Sequence, residues 1–137
     1  MACRSNALNK ILSPPISKKE FAKYCDLFDK INKMPIGTSE LYFYSGLNDS
    51  TIFSFVLEEK QNIKSVYIPL TEFAHSKLTE LVSSNADIKN IIVFDKRHAW
   101  TLRKNNNEWF DENNEKNKNK SRKIVQFPLN CGFVVCL

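Results

Sequence analysis

No apolar run in this chain approaches the roughly 20 residues of a membrane-spanning helix, and the N-terminus lacks the regions of a secretory signal. Those two absences predict a cytoplasmic or nuclear protein with no membrane partner. No CxxC pair occurs, and Cys3, Cys25, Cys131 and Cys136 stand without metal-ligand spacing. The two histidines, His75 and His98, do not complete a zinc set. No metal and no cofactor is therefore expected, and reduced thiols are the simplest reading. Cys131 and Cys136 are spaced to point to opposite faces of a strand. There is also no internal repeat and no linker. With 137 residues, the chain reads as one domain spanning 1–137, large enough for a real core and too small for two.

Hydrophobic residues make up 42% of the chain and aromatics 12%, which argues for a folded globule. The net charge of +5 is unevenly distributed. Residues 115–123 (EKNKNKSRK) hold five basic groups against one acid, while the rest is close to neutral. That segment reads first as a solvated loop. The second reading is that 116–123 binds a nucleic acid or another anionic partner.

Residues 3–12 put Ala7, Leu8, Ile11 and Leu12 on one helical stripe, with Cys3 at its start, and Ser13-Pro14-Pro15 stops the helix. Ser17 and Glu20 form a capping box for a second helix with Phe21, Tyr24, Cys25, Phe28 and Ile31 on its inner face. Residues 33–48 read as turns. Asp49 or Ser50 caps a third helix that turns Ile52, Phe53, Val56 and Leu57 inward. A strand at 65–69, a helix at 71–83 with His75 mid-helix and exposed, a central strand at 88–94 and strands at 123–127 and 132–136 follow. Helices first and a mostly antiparallel sheet afterwards is an α+β layout. In that layout the start of the first helix can meet a strand end.

The most informative stretch is 98–113, HAWTLRKNNNEWFDEN. Strand formers flank an asparagine run, and asparagine tolerates the positive φ that two-residue hairpin turns require. With Asn105-Asn106 as the loop, Leu102 faces Trp109, Trp100 faces Asp111 and His98 faces Asn113. A three-residue loop instead sets His98 against Asn114 and flips the faces of the second strand. The first register is preferred because it pairs Leu102 with Trp109.

An imidazole beside a carboxamide is the arrangement that orients a catalytic histidine. Cys3 supplies a thiol at a helix start, where the positive helix end and a nearby imidazolium both favour the thiolate. His98 then serves as general acid and base, and Asn113 fixes its ring. Asp111 is the competing orienting group, one pair further from the open end. The bland reading of Cys3 is a buried, inert helix residue, and that of His98 an ordinary strand-end histidine. Trp100, Trp109, Phe110 and the aromatic cluster Tyr42-Phe43-Tyr44 read as packing residues.

Cys3-Arg-Ser-Asn-Ala-Leu-Asn-Lys-Ile-Leu12 resembles the nucleophile helix of the Josephin domain. His98 through Asn113 resembles that family's second signature, including the fifteen-residue step from histidine to asparagine. Ser17 to Asp29 resembles its next helical segment. The resemblance implies a papain-like cysteine protease fold and hydrolysis of ubiquitin or ubiquitin-like isopeptide or peptide bonds. Cys3 would be nucleophile, His98 general base and Asn113 orienting amide. The chain departs from the family at Ala99 and Glu112, in the basic segment after the hairpin, and in the glutamine the family places about five residues before its cysteine. The departures motivate a second expectation, a weak or inactive relative that binds ubiquitin or another protein.

Overall fold

The computed structural model describes residues 2–45, 51–112 and 122–137, without the side chains of Ala2, Cys3, Tyr42, Tyr44 and Ser45. Four helices come first: α1 (Ala2–Ile11), α2 (Lys18–Ile31), α3 (Thr38–Ser45) and α4 (Thr51–Gln61). Then follow β1 (Ser65–Ile68), α5 (Ala74–Ser84), β2 (Asn90–Phe94), β3 (Ala99–Asn105), β4 (Glu108–Asp111), β5 (Arg122–Ile124) and β6 (Gly132–Cys136). The strands form one six-stranded sheet in the order β1-β6-β2-β3-β4-β5, and every pairing is antiparallel. The α+β class expected from the element order is the class observed. Among the described residues no helix is long and apolar enough to cross a membrane.

Alternation along the strands separates two cores. Ile92, Phe94, Ala99, Val134 and Cys136 pack with Ala7, Leu8, Phe21, Phe43, Phe53 and Leu57 from α1–α4. Ile91, Val93, Leu102, Phe133 and Val135 pack with Ala74 and Leu78 of α5. Both faces of the central strands are thus covered, which explains why β2 and β6 read as nearly continuous apolar runs. Cys131 and Cys136 fall in different cores, as their spacing predicts. Each fully buried Phe or Leu contributes about 1.5–3 kcal/mol through removal of apolar area from water.

Local chemistry sets the helix ends. After α1, Asn9 bonds Ile16 in both directions, Nδ2 to its carbonyl at 3.2 Å and Oδ1 from its N–H at 3.0 Å. These bonds fold the proline segment back on the helix. Ser17 caps α2 by accepting the Glu20 N–H at 3.0 Å, while the Glu20 carboxylate pairs with Lys60 of α4 at 2.7 Å. Ile52, Phe53, Val56 and Leu57 are the buried residues of α4, matching the expected stripe.

The fold differs from the sequence reading in one added helix, one helix start, one hairpin register and the strand ends, with β2 starting at Asn90 and β5 ending at Ile124. Residues 38–45 form α3 instead of turns. Its free N–H groups are met by Asp29, fully buried on α2, whose carboxylate accepts from Gly37 at 2.9 Å and Ser39 at 3.1 Å. The cap comes from another helix, so no local signature marks it. Helix α5 begins at Ala74, three residues later than expected, so His75 sits in its first turn. The third difference is the hairpin register. The turn is Asn106-Asn107, with φ of 52° and 65°, and Asn105 pairs with Glu108, Lys104 with Trp109 and Leu102 with Asp111. The partners slip by two from the preferred register. A slip of two keeps every face, and Trp109 still packs in the α5 core with Leu102.

Candidate active site at the start of α1

Helix α1 lies along β3 and is held to the β2–β3 hairpin by three long-range hydrogen bonds. Arg4 Nη2 donates to the Asp95 carbonyl at 3.3 Å, Thr101 Oγ1 to the Ala7 carbonyl at 2.8 Å, and Arg103 Nη2 to the Lys10 carbonyl at 2.5 Å. Positions 4, 7 and 10 are successive turns of one helix face. Their partners advance in the same order, so α1 and β3 run parallel. The first turn of α1, which contains Cys3, therefore sits at the end of the sheet where His98 enters β3.

The turn that presents His98 is organised by Asp95. Asp95 Oδ1 accepts the N–H groups of Arg97 at 2.8 Å and His98 at 2.7 Å, and its own N–H donates to the His98 carbonyl at 2.9 Å. Asp-Lys-Arg-His is thus an Asx-type turn closed by backbone and side chain together. His98 is half-buried, just ahead of the first β3 residue. Its ring lies 5.5 Å from that of Trp100 at 31°. Ala99 and Thr101 face α1, and Trp100 and Leu102 belong with the α5 core. His98 is placed at the sheet end by its backbone, with its ring against Trp100.

Of the three expected catalytic residues, His98 is the one whose side chain is described. Cys3 is placed by backbone, in the first turn of α1, and Asn113 lies outside the described residues. The register that would set His98 opposite Asn113 is not the register of the described ladder. Asp111, the competing orienting group, stands opposite Leu102 and is half-buried.

The other thiols contrast with a helix-start cysteine. Cys25, Cys131 and Cys136 are buried and free. Burial pushes the Cys25 thiol up to about 12, Cys131 to about 11 and Cys136 to about 12, because a thiolate in an apolar interior loses its hydration. None of them is a nucleophile at neutral pH. Among the described residues no group of three or more His, Cys, Asp or Glu side chains is arranged to hold a metal ion.

Arg4 and Asp95 were missed in the sequence. The one available signal was Asp95 three residues before His98, between two strand patterns. His75, expected on the surface, is half-buried beside a cavity of about 290 Å³, with Trp109 and Phe127 also lining it. The end of the basic stretch is a strand. Lys123 pairs with Glu108 at 3.0 Å and Arg122 stands opposite Asp111, so acidic residues of β4 face two of its cations. Compared with protein-family models and with curated proteins, the sequence matches none.

Proposed function

We propose that the chain is a cysteine-dependent hydrolase of papain-like, Josephin-like type. It would cleave isopeptide or peptide bonds at the tail of ubiquitin or a ubiquitin-like protein. One observation carries the reading: the parallel run of α1 along β3, which brings the Cys3 turn and His98 to the same end of the sheet. The resemblance of 3–12 and 98–113 to the family signatures supports the substrate class.

In this reading the Cys3 thiolate attacks the scissile carbonyl carbon, and the oxyanion is met by N–H groups at the helix start. The His98 imidazolium gives its proton to the leaving amine as the C–N bond breaks, which leaves a thioester. Water then loses a proton to His98 and attacks the thioester, and Cys3 departs as thiolate. Asn113 holds the imidazole orientation. The His98 ring must reach the sulfur for this cycle to run.

The contact between the His98 and Trp100 rings favours a second reading, binding of ubiquitin without turnover. A ubiquitin probe with a C-terminal electrophile separates the two. The hydrolase reading expects labelling of the wild type that is lost in Cys3→Ala and in His98→Ala. Binding without labelling would leave the second reading standing. Neither binding nor labelling would remove ubiquitin from both.

A further inference from the structure

Arg4 is in an unusual place for a cation. It is 2% exposed and occupies the first turn of α1, a turn with no acidic residue. The positive end of a helix disfavours a cation there, and burying a guanidinium is costly unless hydrogen bonds offset it. What the position achieves is a link. From the residue after Cys3, the guanidinium reaches the carbonyl of Asp95, 91 residues away in sequence. The Asp95 carboxylate in turn holds the N–H groups of Arg97 and His98, and its N–H holds the His98 carbonyl. One hydrogen-bonded path thus runs from the proposed nucleophile turn to the backbone of the proposed base.

Resting on the cysteine-hydrolase reading, we propose that Arg4 and Asp95 form a positioning pair that fixes the Cys3 turn against the His98 turn. Neither touches the scissile bond. Their effect is transmitted through His98: with the link cut, the His98 turn, from which the ring resting against Trp100 would swing to meet the thiolate, is no longer held beside the Cys3 turn. Other contacts hold α1 further along, at Thr101 and Arg103. The helix therefore stays docked while its first turn is released.

The test is the pH dependence of Cys3 alkylation by iodoacetamide, followed by peptide mapping, which needs no substrate. Wild type should inflect below the free-thiol value of about 8.5. His98→Ala should move the inflection up to that value. Arg4→Leu should slow alkylation at pH 7 by about tenfold or more. In a His98→Ala background the same change should alter the rate less than about twofold, because coupled residues are non-additive. Asp95→Ala, at a half-buried turn position, should repeat both results, and it keeps the question answerable if Arg4→Leu does not fold. A direct electrostatic role for Arg4 would instead give equal losses in both backgrounds and overturn the proposal. So would wild-type rates in folded Asp95→Ala and Arg4→Leu. A wild-type inflection near 8.5 that is indifferent to His98→Ala would defeat the hydrolase reading itself, and this inference with it.

Discussion

The two faces of the sheet are built differently. On one, four helices cover the strands, the core includes the aromatic chain Phe21–Phe43–Phe53 with centroids 4.5 and 5.3 Å apart, and polar ties reach from the hairpin into α1. On the other, α5 is the one helix among the described residues, and it covers the centre through Ala74 and Leu78. Beyond it Trp109 and Phe127 meet edge-on at 5.5 Å beside the cavity of about 290 Å³. There the buried His75 Nε2 has no hydrogen-bond partner among the described residues. The face that positions α1 is close-packed and cross-tied, and the Cys3 turn lies at its rim, while the His98 ring rests against Trp100 of the other face.

Truncating one aromatic on each face probes that contrast. Phe53→Ala, at a site with no exposed surface, should cost about 3–5 kcal/mol in urea unfolding, from lost transfer energy and the void left behind. Trp109→Ala should cost only about 1–2 kcal/mol, because its half-buried ring already borders empty space. Equal losses would erase the distinction between the faces.

Alkaline pH reaches both cores through their thiols. Cys25, Cys131 and Cys136 ionise in the ordinary thiol range when unfolded and at about 12, 11 and 12 when folded. Above pH 9 the unfolded chain therefore binds fewer protons than the folded one, so stability falls as pH rises towards 11–12. The loss should be on the order of 1 kcal/mol per thiol by pH 10. Thermal melts at pH 7.5 and 10 measure it, and Cys25→Ser or Cys136→Ser should flatten the slope. An unchanged Tm across that range would contradict the burial assigned to these thiols.

How much of this was legible in sequence depended on whether the cause was local. Helix α4 was readable because its inner stripe recurs within eleven residues, and β6 because an apolar run ends the chain. Helix α3 was not, since the carboxylate that caps it belongs to Asp29 on another helix. The hairpin was half legible. Three consecutive asparagines offer two equivalent two-residue loops, and the choice fell to Asn106-Asn107, with Lys104 against Trp109 and Lys123 bridging to Glu108. For the candidate site, residue types suggested that Cys3 and His98 could meet. Only the long-range bonds of Arg4, Thr101 and Arg103 show that α1 starts at the His98 end.

The proposed hydrolase requires Cys3 and His98 to act as a pair while the other three thiols are inert. Limiting iodoacetamide at pH 7 on the folded chain, with peptide mapping of all four cysteines, tests it most directly. Cys3 should be modified at least about tenfold faster than Cys25, Cys131 or Cys136, as expected of an activated thiol against buried ones. His98→Ala should remove most of that advantage. Modification of Cys3 at the rate of the unfolded chain, or a rate untouched by His98→Ala, would contradict the pairing.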